Sequence, residues 1–165
     1  MKIYLVGYMY SGKTTIGRQL AQRLGLKFVD TDQLFEQKYR LTIPLFLAKY
    51  DQALFRKLEG HILRSTAEMN DVVVATGGGT PCYEGGMEWM MEQGLTVHIK
   101  IDVEGALLRH SRSQHTRPLL QNMSEEERRK FVEKQIGERM AYYAMAQYEV
   151  DAMNPDLDAL LVQII

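Results

Sequence analysis

The residues with the most evident chemistry lie near the start of the chain, where residues 7–14 read GYMYSGKT. This segment has the G-x-x-x-x-G-K-[ST] spacing of a phosphate-binding loop. It lies between an apolar run over residues 3–6 and a helix-forming stretch over residues 16–24. A strand, a Gly-rich turn and a helix N-terminus in this order direct backbone N–H groups and the positive end of the helix dipole at one spot. The sequence therefore predicts that the chain binds a nucleoside triphosphate.

The loop positions predict individual roles in holding a polyphosphate. Lys13 is expected to bridge the β- and γ-phosphates, and Thr14 to place its hydroxyl on Mg²⁺. Gly7 and Gly12 supply backbone freedom, and Thr15 stands where it can also touch the α-phosphate. The alternative, an ordinary Gly-rich turn with a surface lysine, is disfavoured because the flanking elements are also correct.

Two carboxylates, Asp30 and Asp32, come at the end of the second predicted strand. Open α/β sheets bind their ligands at this carboxyl edge. Since residues i and i+2 of a strand share a face, one carboxylate can act on Mg²⁺ through water while the other binds a hydroxyl acceptor and takes its proton. The alternative is that Asp32 only caps the helix that follows.

Three consecutive glycines, at positions 77–79, follow the third predicted strand at the same edge. Their backbone N–H groups can approach a small ligand closely, although a flexible turn is the simpler explanation. Arg56 and Arg139 lie within predicted helices. Each could be a surface charge, but a bidentate arginine is the usual ligand of a carboxylate.

A polar segment over residues 109–117 reads RHSRSQHTR and predicts a mobile surface loop. In a nucleotide-binding enzyme, an arginine on a closing loop can stabilise charge on the transferred phosphoryl group and exclude water. Arg117 is the best candidate for this role. A solvated basic loop is the alternative, and it carries more weight for Arg109 and Arg112.

Composition bounds the class of protein. The 165 residues suit a single domain over 1–165, and a net charge of −1 gives no sign of a nucleic-acid surface. No apolar run approaches the ~20 residues that span a bilayer, and a core strand at the start leaves no room for a signal peptide, so no membrane association and a cytoplasmic location are expected. Cys82 is the only cysteine and is expected to be inert. A monomer is the default expectation.

Short apolar or β-branched segments alternate with amphipathic ones along the chain. Strands are predicted over residues 2–6, 27–29, 72–76 and 96–101, and helices over residues 16–24, 36–49, 52–69, 86–92, 104–109 and 125–148. This alternation predicts an α/β fold, a parallel sheet with helices on both faces. The apolar tail over residues 157–165 is expected to dock on the body.

Taken together, these motifs resemble the shikimate kinase family over nearly the whole chain. The resemblance rests on the order and spacing of six segments: 11–15, 30–36, 55–59, 77–79, 117–120 and 139–146. It implies transfer of the ATP γ-phosphoryl group to the 3-hydroxyl of shikimate, in aromatic amino-acid biosynthesis. It also implies a three-layer fold of the nucleoside-monophosphate-kinase type, with a five-stranded parallel sheet and a mobile lid over about residues 109–121.

The resemblance further implies ligands at the matching positions. ATP and Mg²⁺ would be the co-substrate and metal, with Ser11 among the loop residues on the phosphates, Asp30 near the metal through water, and Pro155 on the adenine. The implied ligands of shikimate are four: Asp32, which is also the candidate base, Arg56, Gly78 and Arg139. Arg117 would belong to the lid that closes over both substrates.

Some positions depart from the family pattern. His110 stands where an arginine commonly faces adenine, with Arg109 and Arg112 as neighbours that could substitute. Ala141 replaces a common proline, and residues 41–51 lack the usual Gly-containing acidic turn. Three alternatives stay open at this point: a gluconate-type sugar-acid kinase, a nucleoside monophosphate kinase, and a regulatory module that binds ligand without turnover.

Overall fold

A single parallel sheet organises the fold. The computed structural model describes residues 1–113 and 118–165. Its strands are β1 (Lys2–Val6), β2 (Lys27–Asp30), β3 (Val72–Ala75), β4 (Leu95–Lys100) and β5 (Tyr148–Asp151). All neighbouring strands are parallel, in the order β2-β3-β1-β4-β5. The expected five-stranded α/β architecture is confirmed.

Helices cover the sheet. They are α1 (Lys13–Leu24), α2 (Thr31–Tyr39), α3 (Ile43–Lys49), α4 (Gln52–Ser65), α5 (Gly86–Gln93), α6 (Val103–Arg112), α7 (Pro118–Gln121), α8 (Glu125–Tyr143) and α9 (Leu157–Ile164), with 3₁₀ turns at Thr66–Glu68 and Thr80–Cys82. In the part of the chain covered by the structure, no helix is both long and apolar enough to cross a membrane.

The central strands β1 and β3 are buried on both faces. Residues 72–75 read VVVA and are all buried, as are residues 3–6 of β1. Continuous apolar strands of this kind are typical of a sheet covered by helices on both sides. Because β2, β3 and β1 are adjacent, the segments that leave their carboxyl ends emerge side by side, and these are the segments that carry the candidate site residues.

A second, smaller core lies apart from the sheet, between α2, α3 and α4. It consists of Phe35, Phe46, Phe55 and Ile62. The ring centroids of Phe46 and Phe55 each lie 5.2 Å from that of Phe35, in edge-on contacts. Such pairs add to the stability that burial alone provides. This cluster fixes α2 and α4, the helices that carry Asp32 and Arg56.

Two helix predictions were wrong in extent. The helix predicted over 36–49 is two helices, because Arg40 takes a left-handed conformation (φ 56°) and ends α2, and Thr42 caps α3. The helix predicted over 125–148 ends at Tyr143, and β5 follows as an edge strand in which only Val150 is buried. A four-residue edge strand with one buried side chain has too little apolar pattern to separate it from a preceding helix.

The prediction of a surface loop over residues 109–117 is wrong for its first part. Arg109 to Arg112 form the last turn of α6, which Asp102 caps by accepting a 2.7 Å hydrogen bond from the Gly105 N–H. Basic side chains are favourable in the last turn of a helix because they interact with its dipole. Of the predicted lid over 109–121, residues 114–117 lie outside the described residues.

Candidate active site

The phosphate loop joins β1 to α1. Gly12, at the helix N-cap, has a φ of 84°, in the left-handed region that favours glycine. Gly7 lies so close to β4 that a methyl group there would be 2.4 Å from the Ile99 carbonyl oxygen. The Lys13 ammonium lies across the loop and donates hydrogen bonds to the carbonyls of Gly7 (2.7 Å) and Tyr8 (3.1 Å). The lysine therefore points to the place where the loop would hold phosphate.

Thr14 and Asp30 meet beside this loop. The Thr14 hydroxyl donates a 3.0 Å hydrogen bond to Oδ2 of Asp30. Within the described residues, no group of three or more His, Cys, Asp or Glu side chains could hold a metal ion. A magnesium ion at Thr14 and Asp30 would therefore need phosphate and water oxygens as further ligands, which is how Mg²⁺ is usually bound with nucleotides.

Asp30 and Asp32 do not share one face of a strand, so that prediction is wrong. The strand ends at Asp30, whose Oδ1 accepts hydrogen bonds from the N–H groups of Asp32 (2.9 Å) and Gln33 (3.4 Å). Asp30 is thus the N-cap of α2, the role considered above for Asp32. Asp32 lies in the first turn of α2, and its carboxylate is directed to the glycine segment.

Each glycine of residues 77–79 lies against one candidate acceptor-binding side chain. A methyl group at Gly77 would lie 2.8 Å from Oδ1 of Asp32. At Gly78 it would lie 3.1 Å from Nη1 of Arg139, and at Gly79 it would lie 2.5 Å from Nη1 of Arg56. The three side chains come from α2, α8 and α4. The structure therefore brings together Asp32, Arg56, Gly78 and Arg139, the four residues that the resemblance implies as shikimate ligands.

A buried carboxylate and an aromatic ring position Arg56. Its Nη1 donates a 2.9 Å hydrogen bond to Glu59, which also accepts a 3.0 Å hydrogen bond from the Thr80 hydroxyl. The guanidinium lies 4.2 Å from the ring centroid of Tyr83. Glu59 is only 6% exposed, so this charge-assisted hydrogen bond is shielded from water and holds the guanidinium in place. Sequence reasoning did not assign a role to Glu59 or Tyr83.

Two tyrosines line the Arg139 side. The Arg139 guanidinium lies 5.8 Å from the ring centroid of Tyr8. The Tyr143 hydroxyl donates a 2.5 Å hydrogen bond to the carbonyl of Gly78. Burial raises the pKa of Tyr143, so its hydroxyl stays protonated and acts as a donor. Tyr143 thereby fixes the glycine segment on which the acceptor side is built.

A second depression begins on the other side of the phosphate loop. It is lined by Ser11, Gly12, Thr15, Ile16, Gln19, Arg109, Ala152, Met153 and Pro155. Arg109 donates hydrogen bonds to the carbonyls of Tyr10 (2.7 Å) and Ala152 (2.6 Å). His110, in contrast, is 7% exposed and turns toward Tyr10. Arg109, and not His110, therefore lines the predicted nucleotide pocket.

A continuous cleft of about 930 Å³ connects the loop to the acceptor side. Its lining includes Lys13, Thr14, Asp30, Asp32 and Gly78. This volume is at the upper end of the range for small-molecule sites. Arg117, the predicted lid residue, lies outside the described residues.

Under both sides of the cleft lies a buried histidine that the sequence did not single out. His98 of β4 pairs in register with Val6, the residue before the phosphate loop, and its ring centroid is 5.1 Å from that of Tyr143. Burial lowers the pKa of His98 to about 4, although Glu149 opposes the shift. The imidazole is therefore neutral at physiological pH.

Comparison with known proteins gives consistent similarities. The family model described as Shikimate kinase matches residues 9–165. A shikimate kinase of Parabacteroides distasonis is 39% identical over 92% of this chain and 87% of its own length. The crystal structure of the Bacteroides thetaiotaomicron shikimate kinase aligns with a TM-score of 0.89 at 34% identity, over 92% of this chain and 86% of that one. An Acinetobacter baumannii shikimate kinase, solved in complex with shikimate, aligns with a TM-score of 0.85 at 34% identity, over 99% and 91%.

Proposed function

The chain belongs to the shikimate kinase family, and from that premise we propose how its residues share the work of the reaction. The reaction transfers the γ-phosphoryl group of ATP to the 3-hydroxyl of shikimate, giving shikimate 3-phosphate and ADP, in the biosynthesis of chorismate and aromatic amino acids. One observation carries the residue assignment: Asp32, Arg139 and Arg56 lie against three consecutive glycines, beside the phosphate loop.

The acceptor side matches the chemistry of shikimate. Shikimate has a carboxylate at one end and hydroxyls along the ring, so a site needs cations for the first and polar groups for the second. Arg56 and Arg139 supply the cations, and their planar forks suit a carboxylate better than lysine would. Asp32 and the Gly78 backbone would then bind the hydroxyls. The three glycines leave room for Asp32, Arg56 and Arg139 to approach the backbone at this edge.

Asp32 is the proposed base for the 3-hydroxyl. Its carboxylate lies on the glycine side of the cleft, whereas Asp30 is engaged as the cap of α2 and by the Thr14 hydroxyl. The two carboxylates are therefore suited to different tasks. Asp32 would orient the acceptor hydroxyl and take its proton as the phosphoryl group arrives. Orientation is the larger contribution, because phosphoryl transfer proceeds through a loose transition state.

The donor side would hold the nucleotide. Backbone N–H groups over residues 11–15 would hold the phosphates with Lys13, and Thr14 and Asp30 have the oxygen donors that suit Mg²⁺. When bound, the metal ion would neutralise charge on the phosphates. Lys13 would stabilise the charge that develops on the equatorial oxygens. Arg109 and Pro155, which line the second depression, are the proposed neighbours of the adenine.

Arg117, on the predicted lid, is proposed to stabilise the same charge in the transition state. A positive side chain that reaches the transferred phosphoryl group lowers the barrier because the charge there spreads over several oxygens.

We also propose that the protein acts as a monomer in the cytoplasm, with no nucleic-acid or membrane partner, as its biosynthetic family and near-neutral charge of −1 suggest.

The test is release of ADP from Mg-ATP in a coupled assay. Parallel reactions contain shikimate, gluconate, AMP or no acceptor. Turnover with shikimate alone supports the proposal, and an Asp32→Asn variant should then bind shikimate but lose most of its turnover. Turnover with gluconate or AMP at a similar rate, or an Asp32→Asn variant as active as the parent, would overturn the assignment of the acceptor side.

A further inference from the structure

Tyr10 has an unusual backbone conformation for its position. It lies in the phosphate loop with a φ of 68°, in the left-handed region where residues with side chains are uncommon. The conformation costs free energy for any residue except glycine, and it persists only where the surroundings hold it in place. In the loop, the next glycine is Gly12, two residues further on. The contacts that hold Tyr10 are therefore informative.

Two consecutive residues of α6 contact the two ends of Tyr10. Its hydroxyl lies 2.9 Å from Nδ1 of His110, and the two rings meet edge-on at 79° with centroids 5.7 Å apart. Its carbonyl oxygen accepts a 2.7 Å hydrogen bond from Nη1 of Arg109. The side chain and the backbone of Tyr10 are thus both attached to the end of α6.

The same contacts reach the nucleotide pocket. The second amino group of Arg109 donates a 2.6 Å hydrogen bond to the Ala152 carbonyl, three residues before Pro155. Nη1 of Arg109 lies 3.1 Å from the place where a methyl group at Gly12, the N-cap of α1, would stand. Arg109 therefore spans the phosphate loop and the opposite wall of the depression, and His110 fixes the next position along the helix.

We propose that Tyr10 and His110 are positioning residues for the nucleotide. The pair holds the phosphate loop with its N–H groups directed at the phosphates, and it holds Arg109 against the adenine side. It acts through Arg109 and the loop backbone rather than by contact with the reacting atoms. This inference rests on the proposed function for the identity of the nucleotide, and it adds a role for a variable position of the motif, Tyr10, and for a residue outside the motif, His110.

The test is a set of variants at the two positions. Tyr10→Phe and His110→Leu each remove one partner of the hydrogen bond. His110→Asn keeps a polar atom near the position of Nδ1 and serves as the rescue. Tyr10→Gly removes the side chain but adopts the left-handed conformation without cost, so it folds even if the other variants are unstable. Tyr50→Phe and His61→Leu, at exposed positions away from the cleft, are the matched controls.

The measurements are the Kd of Mg-ADP by calorimetry and the KM values for ATP and shikimate. Tyr10→Phe and His110→Leu should each raise the nucleotide Kd and the ATP KM about fivefold, the loss expected for one neutral hydrogen bond, with the shikimate KM unchanged. The double variant should be no worse than either single one, because both remove the same interaction. His110→Asn should recover most of the affinity, and Tyr10→Gly should fold with weakened nucleotide binding.

The opposite outcomes overturn the inference. If the variants lower the unfolding temperature but leave the nucleotide Kd unchanged, the pair only stabilises the fold. If the two single effects add in the double variant, the residues act separately. Absence of turnover with shikimate in the parent protein would refute the proposed function alone, since the Mg-ADP measurement still decides the role of the pair.

Discussion

The two sides of the cleft obtain their geometry in different ways. The phosphate loop is one segment of consecutive residues between β1 and α1. Its own glycines and the start of the helix set most of its shape, and α6 contacts it at Tyr10. The acceptor side takes Asp32 from α2, Arg56 from α4 and Arg139 from α8, and brings them to the glycines over residues 77–79. One side is local in sequence, and the other depends on how distant helices pack.

This difference predicts how each side responds to change. The loop is attached to the main core through β1, whereas α2 and α4 depend on the small aromatic cluster around Phe35. Substitutions in the loop should change nucleotide binding or turnover and leave the shikimate KM constant. Substitutions on the acceptor side should change the shikimate KM and leave the ATP KM constant. Variants that break this separation would show that the two sides are coupled.

Lys13→Ala is expected to have the largest effect. The ammonium is the loop side chain that we propose for the transferred charge, and removal of such a group costs on the order of 100- to 1,000-fold in kcat. The unfolding temperature should fall by only a few degrees, on the order of 2–4 °C, because the side chain contributes two hydrogen bonds to loop carbonyls but no core packing. Steady-state kinetics and thermal unfolding measure the two quantities. Arg117→Ala is expected to lower kcat in the same way.

The control for Lys13→Ala is Lys134→Ala, at an exposed position of α8. It should retain full activity. If the Lys13 variant lost stability in parallel with activity, the effect would come from folding and the donor side would not be independent of the core.

Arg139→Lys should come next, on the acceptor side. Lysine keeps the charge but lacks the planar fork that binds a carboxylate through two parallel hydrogen bonds. The shikimate KM should rise about tenfold or more, the cost of a charge-assisted hydrogen bond, while the ATP KM stays constant. Arg18→Lys, exposed on α1, is the matched control and should change neither KM. An equal rise in both KM values would contradict the separation of the two sides.

His98 tests the core that supports both sides of the cleft, because it lies next to Val6 before the phosphate loop and to Tyr143 on the acceptor side. Its folded-state pKa of about 4 is below the ordinary value of 6.5, so the neutral form stabilises the fold above pH 6.5 and that stability is lost as the pH falls toward 4. At pH 5.5 the loss should be about 1.4 kcal/mol. His98→Phe should flatten this part of the stability curve measured by denaturant unfolding.

The free energy of unfolding of the wild-type protein at pH 8, where His98 is neutral in the folded and unfolded states, is the reference for this pH series. Burial also lowers the pKa of His110, so some pH dependence should remain in the His98→Phe variant. A stability curve that is identical in the two proteins would show that His98 does not titrate in this range.

The sequence was sufficient for the parts of the molecule that are local. The phosphate loop and the four strands β1 to β4 follow from motif and periodicity, and the structure confirms them. The positions of Asp30 and Asp32 could not be obtained this way. Residues 30–32 could either extend β2 or begin a helix capped by Asp30. Their residue types are compatible with both conformations.

What the sequence missed comes from tertiary contacts. Glu59 matters because it is buried beside Arg56, and Tyr143 because its hydroxyl reaches Gly78 from a distant helix. The polar segment after residue 108 looked like a loop, yet His110 is buried against Tyr10 and α6 continues to Arg112. No periodic pattern predicts such pairs, because each depends on the packing of elements far apart in the chain.

Gly79→Ala is expected to have the smallest effect on the kinetics, and it isolates the role of close approach on the acceptor side. Gly79 has a φ of −91°, which any residue adopts, so the added methyl group brings no backbone strain. It would lie 2.5 Å from Nη1 of Arg56, and the guanidinium must move. Because Glu59 and Tyr83 hold that group, its displacement should lower the stability by about 1–3 kcal/mol, while the shikimate KM rises about threefold.

Gly137→Ala is the matched control for Gly79→Ala. A methyl group at this position of α8 would meet nothing within 4 Å, and alanine in a helix is about 0.5–1 kcal/mol more stable than glycine. The control should therefore raise the unfolding temperature without changing either KM. If Gly79→Ala left the shikimate KM unchanged as well, Arg56 would not bind shikimate from the position where it meets Gly79. The acceptor side would then depend on Asp32 and Arg139 alone.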